Sequence, residues 1–330
     1  MAPTEMAPSR LAYESFEDLV SHATSRAPLL TGDQKGGSNL ERLVVDGATL
    51  VAKHLDLEGD WLMRCTSDLA CRPLVLWRSG LLDQLPPCID HAIVACYPGA
   101  KLGQAVLVMR DVSSTLIPEG DQPVLEEQHL RLVDHMAALH ARFWGWTDQF
   151  DLLPLADRLL EFHPDSAKRE IERPDCAAVP PIIVEGWRKL TNLAPVAAET
   201  VFALHRDPSP LVAALEQTPR TFVHGDWKMG NLGSHPDGRT VLLDWAVPGE
   251  APGALDFAWY LSINRRRLPC SKEQAIEDVG FGLAEWVDYF QRVAALPLAP
   301  DTTNHESLVD ALNASGFAVI GTVEDAVTQV

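Results

Sequence analysis

The stretch that most constrains the fold lies between residues 221 and 245 and reads TFVHGDWKMGNLGSHPDGRTVLLDW. Its first apolar run, residues 221–223, predicts a short strand that stops at a polar loop. Two further short runs, 231–233 and 240–243, flank a Pro-Asp-Gly turn and predict a β-hairpin. This pattern places three polar side chains at the ends of short strands: Asp226, Asn231 and Asp244.

Two carboxylates and an amide in this arrangement suit phosphoryl transfer. That reaction needs a carboxylate to orient the acceptor hydroxyl and oxygen ligands to hold magnesium on a triphosphate. Magnesium binds carboxylate and other hard oxygen donors, with phosphates and water completing its shell. The alternative is three ordinary loop residues, with the Asp237-Gly238 turn as the main local feature.

The spacing His224-x-Asp226-x4-Asn231, followed by the strand-ending Asp244, resembles the signature of the aminoglycoside phosphotransferase and choline-kinase-like families. The fold of these families is related to that of protein kinases. The resemblance implies that Asp226 is the catalytic base, that Asn231 and Asp244 hold Mg²⁺, and that His224 braces the loop. Further along, PGEAPGALDFAWYL resembles the turn and helix that follow in these families. It implies that Asp256 caps that helix and supports the catalytic loop.

The resemblance also implies an α+β, two-lobed, protein-kinase-like fold. An N-terminal antiparallel sheet lobe, residues 1–111, would precede a mainly helical C-terminal lobe, residues 112–330, with ATP between them. Near the lobe boundary, Met109 to Asp111 would form the hinge whose backbone meets adenine.

Lys53 is the candidate for positioning the phosphates. Two apolar runs, 40–45 and 48–55, predict a hairpin closed by Asp46-Gly47. In the second run Lys53 alternates with apolar residues, so it points to the same side as Val51 and Leu55. The resemblance favours a lysine facing the nucleotide cleft over an exposed edge-strand lysine.

A glycine-containing turn precedes this hairpin. It contains Gly36, Gly37 and Ser38, whose backbone could approach phosphates closely, although a plain connecting loop fits the same residues.

In kinase-like folds a carboxylate on the next helix holds this lysine, and here the sequence departs from the pattern. The helix-like stretch 69–82 contains no acidic residue. Asp68 is the nearest candidate partner, with Glu58 and Asp60 as alternatives. The departure keeps open a nucleotide-binding regulatory protein without turnover.

Other segments predict regular structure by periodicity and turn residues. Helices are expected at 14–26, 126–144 and 273–294, strands at 92–96 and 105–109, and a loosely packed tail from residue 297.

Composition restricts the partners. The formal net charge is −19, from 27 basic and 46 acidic residues, which argues against nucleic acid as a partner. No apolar run reaches the length of a membrane span, and the first residues lack a secretory pattern, so we expect a cytoplasmic protein without a membrane partner. Six cysteines without metal-ligand spacing indicate reduced thiols.

The sequence therefore predicts an ATP- and Mg²⁺-dependent kinase that phosphorylates a hydroxyl group of a small molecule. The acceptor could be an aminoglycoside, an amino sugar, another sugar, choline or a similar metabolite, because family resemblance does not separate these. A protein acceptor is disfavoured, since nothing resembling a protein-kinase activation segment follows Asp244.

Overall fold

The computed structural model describes residues 10–29 and 39–278. Its strands are β1 (Ala23–Pro28), β2 (Asn39–Val45), β3 (Ala48–Asp56), β4 (Ile89–Asp90), β5 (Ile93–Pro98), β6 (Gln104–Arg110), β7 (Thr221–Val223), β8 (Leu232–Ser234), β9 (Thr240–Leu242) and β10 (Gly249–Ala251). Its helices are α1 (Phe16–Ser21), α2 (Trp61–Cys65), α3 (Arg72–Ser79), α4 (Glu126–Arg142), α5 (Leu155–Leu159), α6 (Pro164–Ile171), α7 (Val179–Leu193), α8 (Pro195–Arg206), α9 (Ser209–Leu215), α10 (Ala254–Ile263) and α11 (Lys272–Asp278).

The N-terminal part of the chain forms one antiparallel sheet with the strand order β1-β2-β3-β6-β5. The predicted hairpin is confirmed, because β2 and β3 pair from Asn39–His54 to Val45–Ala48. Asp46 and Gly47 both have positive φ, 50° and 80°, as a two-residue hairpin turn requires. The predicted strands at 92–96 and 105–109 are confirmed as β5 and β6.

The predicted helix at 14–26 is too long. Ser15 caps α1 as expected, since its Oγ accepts the backbone N–H of Asp18 at 3.0 Å. The helix nevertheless ends at Ser21, and the following residues form β1, which pairs with β2. Pairing with a distant strand therefore overrides the local helical pattern.

Side-chain alternation along β3 divides its residues between two cores. Leu50 and Ala52 pack with α1 in a cluster on one face of the sheet. Leu55 belongs to the main core, which is shared with α3, α4 and the loop after β7. Lys53 lies two residues before Leu55 and therefore faces the same side as the main core.

The helical region surrounds the short strands that carry the candidate site. The predicted helix at 126–144 is confirmed as α4, which ends at Arg142. It lies beside β7, and the Thr221 hydroxyl donates to the His140 carbonyl at 2.9 Å. The predicted hairpin is confirmed as β8–β9, and β9 also pairs in parallel with β4.

These elements confirm the α+β prediction, with an N-terminal antiparallel sheet and a mainly helical remainder. No helix among the described residues has the length and apolar content needed to cross a membrane. Most of the predicted helix at 273–294, the tail from residue 297 and most of the turn before β2 lie outside the described residues.

Candidate active site

Asp226 lies in the loop that connects β7 to β8. The loop turns at Gly225, which has a φ of 88°. A Cβ at this position would collide with the Val247 carbonyl and the Arg158 guanidinium, so the fold requires glycine here. The close approach of these groups fixes the direction in which the loop presents Asp226.

Both carboxylate oxygens of Asp226 accept hydrogen bonds. The Asn231 amide Nδ2 donates to Oδ2 at 2.7 Å and to the Asp226 backbone carbonyl at 3.1 Å. The indole Nε1 of Trp259 donates to Oδ1 at 2.7 Å. Lys228 Nζ lies 3.7 Å from Oδ2, and the Asp226 side chain is 19% exposed. The carboxylate is thus held in one orientation while part of it remains exposed to solvent.

His224 joins the two halves of the site. Its ring Nδ1 accepts the Asp226 backbone N–H at 3.1 Å, so the Nε2–H donates to the Leu243 carbonyl at 3.0 Å. Burial lowers the pKa of this imidazole, despite opposing effects of nearby carboxylates. A neutral His224 therefore connects the backbone at Asp226 to the residue that precedes Asp244.

Lys53 of β3 and Asp244, two residues after β9, form an ion pair. Lys53 Nζ donates to Asp244 Oδ1 at 2.7 Å, although 191 residues separate them along the chain. Burial opposes ionisation of Asp244, but the charges of Lys53 and Lys228 hold its pKa at about 2. Asp244 also has a φ of 63°, in the left-handed region that aspartate enters more often than most residues other than glycine. The N-terminal sheet thus contributes the ammonium group of Lys53 to the region that contains Asp244.

Asp68, the expected partner of Lys53, occupies another place. Its carboxylate oxygens each accept the Arg72 backbone N–H at 3.0 Å, and Oδ2 lies 3.9 Å from Arg72 Nη1. Asp68 is therefore engaged with the start of α3, and the prediction that it holds Lys53 is wrong. Of the two alternatives, Glu58 lies 3.7 Å from Arg173.

Asp60, the other alternative, lies within electrostatic reach of Lys53. Its Oδ1 accepts the backbone N–H groups of Leu62 and Met63 at 2.9 and 3.2 Å, so it caps α2. Burial raises the pKa of Asp60, and the positive charge of Lys53 opposes that rise.

The predicted hinge begins inside a strand. Met109 belongs to β6 and pairs with Val51 on one side and Ile93 on the other. Asp111 is the first residue after β6, and its carboxylate lies 3.1 Å from Arg42 Nε. Contact of these residues with adenine stays a prediction. Gly36, Gly37 and Ser38 lie outside the described residues.

Asp256 anchors the loop by accepting backbone hydrogen bonds. Its Oδ2 accepts the His224 N–H at 2.9 Å, and its Oδ1 accepts the Gly225 N–H at 2.6 Å. Oδ2 also lies 3.0 Å from His140 Nε2. Burial opposes ionisation, but the hydrogen bond and charge of His140 keep the pKa of Asp256 below its usual value. The expected capping role is wrong, because Gly253 is the N-cap of α10 and Asp256 lies in its first turn.

Sequence reasoning missed two side chains near Asp226. Trp259 lies one helical turn after Asp256, and this i, i+3 spacing would have placed it against the same loop. Glu161 lies between α5 and α6, where no periodicity assigns a position. Burial raises its pKa to about 7; Arg158 opposes this rise, while the charge of Asp226 adds to it.

The chain is similar in structure to aminoglycoside phosphotransferases and choline kinases. The choline kinase LicA from Streptococcus pneumoniae, in complex with AMP, is 13% identical, with 93% of each chain covered and a TM-score of 0.48. A thermostable mutant of aminoglycoside phosphotransferase APH(4)-Ia, in a ternary complex with ADP and hygromycin B, is 14% identical, with 94% of this chain and 95% of that chain covered and a TM-score of 0.43. Spectinomycin phosphotransferase APH(9)-Ia, in complex with ADP and spectinomycin, is 13% identical, with 92% of each chain covered and a TM-score of 0.39. No protein-family model and no curated protein matches the chain.

Proposed function

We propose that this protein is a phosphotransferase that moves the γ-phosphoryl group of ATP to a hydroxyl group of a small molecule. The observation that carries the proposal is the proximity of two paired groups, Asp226 with Asn231 and Asp244 with Lys53. Lys228 links them, because its Nζ lies 3.7 Å from Asp226 and its charge lowers the pKa of Asp244. Phosphoryl transfer requires positioning and charge neutralisation more than covalent chemistry, and these residue types supply both.

Asp226 is the proposed base. Its Oδ1 accepts a hydrogen bond from Trp259 and its Oδ2 accepts one from Asn231, and each oxygen keeps lone-pair capacity for another donor. The acceptor hydroxyl donates to this carboxylate. The hydroxyl oxygen of the acceptor then forms a new bond to the γ-phosphorus, and the bond from that phosphorus to the β–γ bridging oxygen breaks. ADP leaves, and the proton of the hydroxyl passes to Asp226.

Asn231 and Asp244 fit the donor set that Mg²⁺ requires. The Asn231 amide uses its nitrogen for Asp226, which directs its oxygen elsewhere, and Asp244 keeps a second carboxylate oxygen besides the one that meets Lys53. When bound, the metal would supply positive charge that neutralises the phosphates. Lys53 is the proposed phosphate ligand, and Met109 and Asp111 stay candidates for the adenine end. We place the lobe boundary at residues 111–112.

The acceptor is proposed to lie beside Glu161, Phe162 and Trp259. Glu161 interacts electrostatically with Asp226. Phe162 stacks on Trp259 with ring centroids 5.6 Å apart. A carboxyl group and an aromatic wall beside the base suit a polar compound with hydroxyl groups, such as an amino sugar or an aminoglycoside.

The test is ADP release from Mg-ATP with a panel of aminoglycosides, amino sugars, other sugars and choline, with the phosphorylated product identified by mass spectrometry. We expect one acceptor class to stimulate turnover and Asp226→Ala to lower kcat by about a thousandfold. Asp237→Ala, which removes a carboxylate from the exposed β8–β9 turn, is the matched control and should retain activity. Nucleotide binding without stimulation by any acceptor would favour the regulatory alternative, and no nucleotide binding would refute both.

A further inference from the structure

Helix α10 and the residue after it contact the loop of residues 224–229 at several points along its length. Asp256 accepts two backbone N–H groups at the start of the loop. At the other end, the Asn264 side chain accepts the Met229 N–H at 2.7 Å and donates to the Trp227 carbonyl at 2.9 Å. Between these two anchors, Trp259 contacts a side chain of the loop instead of its backbone.

That side chain is the carboxylate of Asp226, and the contact is well formed. The Trp259 Nε1–H donates to Oδ1 at 2.7 Å, a distance typical of hydrogen bonds to a charged acceptor. Asn231 donates to the other oxygen at the same distance. Two donors on opposite oxygens fix the plane of the carboxylate and its rotation about the Cβ–Cγ bond.

The indole is itself held from the opposite side. Its ring stacks on Phe162 at an interplanar angle of 10°. The Phe162 backbone is tied in turn by the Trp187 Nε1–H, which donates to its carbonyl at 2.8 Å. The donor that reaches Asp226 is therefore preorganised by packing before any acceptor binds.

We infer that Trp259 is a positioning residue for the transfer step, which rests on the proposed role of Asp226 as the base. The indole N–H holds the carboxylate so that its remaining lone pairs face the acceptor hydroxyl. A misplacement of the base raises the barrier of the transfer step without weakening nucleotide binding.

The experiment compares Trp259→Phe with Trp144→Phe in the full-length protein. The first change keeps an aromatic ring against Phe162 but removes the donor to Asp226. The second makes the same substitution at a tryptophan that is 58% exposed, just after the end of α4. We expect Trp259→Phe to lower kcat about tenfold with the KM for Mg-ATP within twofold of wild type, and Trp144→Phe to keep kcat within twofold.

The second readout is the indole Nε1–H resonance of Trp259 in a ¹⁵N-labelled sample, assigned by its loss in Trp259→Phe. Asp226→Ala removes the acceptor of this hydrogen bond and should shift the Trp259 resonance, while the resonance of the exposed Trp144 stays in place. This signal needs no turnover, so it reports the contact separately from the activity.

The outcomes separate the two proposals. An active wild type with a Trp259→Phe kcat within twofold of it, or with no resonance shift in Asp226→Ala, overturns the positioning role and leaves the phosphotransferase proposal standing. A wild type that turns over no acceptor, with the resonance shift present, refutes the phosphotransferase proposal and with it any role of Trp259 in transfer.

Discussion

Asp226 and Asp244 are both carboxylates close to the ends of short strands, yet the protein holds them in different ways. Asp226 is fixed by Trp259 and Asn231, and its backbone N–H is bound by His224. These contacts arise within 33 residues or fewer along the chain. Asp244 instead meets a lysine from the sheet, across 191 residues. The side of the site with the proposed base, Asp226, is therefore built into the helical region. The proposed nucleotide side, with Lys53 and Asp244, depends on how the sheet lies against that region.

This comparison predicts that the residues that hold the Asp226 loop contribute strongly to the free energy of unfolding. Asp256→Ala would leave the His224 and Gly225 N–H groups and the His140 ring without their buried acceptor. We expect a loss of about 3–5 kcal/mol in the free energy of unfolding, measured by urea denaturation. The exposed turn variant Asp237→Ala should lose less than about 1 kcal/mol. Equal losses in the two variants would show that Asp256 stabilises the protein no more than a residue of an exposed turn does.

The nucleotide side should behave in the opposite way. Lys53→Met removes a partly exposed ion pair, so we expect a stability change within about 1 kcal/mol. The same change should lower kcat/KM for Mg-ATP about a hundredfold, because a charge that stabilises the transferring phosphoryl group is lost. Lys101→Met, on the exposed turn between β5 and β6, is the control for both assays. A Lys53→Met protein with wild-type kinetics would show that the pair with Asp244 is structural only.

The smallest expected effect concerns Glu161, whose carboxyl group interacts electrostatically with Asp226. Its pKa is raised to about 7 in the folded protein from an ordinary value of 4.5, so the folded state favours the protonated form. The stabilisation from this group is complete below about pH 4.5 and is lost as the pH rises through about 7.

The free energy of unfolding of Glu161→Gln minus that of wild type should therefore be about 1 kcal/mol larger at pH 8 than at pH 5. This figure is reduced because the side chain is partly exposed. Urea unfolding at the two pH values measures this difference. Glu172→Gln, at the exposed end of α6, should show no such gain. The same stability difference at both pH values would mean that Glu161 titrates normally.

The spacing of residues along the chain was enough to identify the candidate groups on the loop. His224, Asp226, Asn231 and Asp244 lie within 21 residues, so local strand ends and turns determine their approach. The side on which Lys53 lies followed from alternation along β3. These features are governed by short-range geometry, which a single sequence expresses.

The partners of these groups could not be predicted in the same way. The partner of Lys53 depends on the docking of the sheet, and Asp68 was the wrong choice because its carboxylate is used by the start of α3. The contact of Trp259 with Asp226 requires α10 to pack against the loop. The helix predicted at 14–26 ended early because β2 supplies a partner strand for residues 23–28. Each of these outcomes depends on contacts between distant segments.

The anchoring of the loop by α10 has a consequence for the order in which the protein matures. Asp256, Trp259 and Asn264 lie about 30 to 40 residues after the loop residues that they bind. During synthesis from the N-terminus, the ribosome releases the loop before it releases the helix that holds it. The nascent chain thus passes through a stage in which its proposed catalytic residues are all present but not yet arranged. Activity would begin only when α10 docks, and a chain that stops before residue 254 would fold without a competent loop.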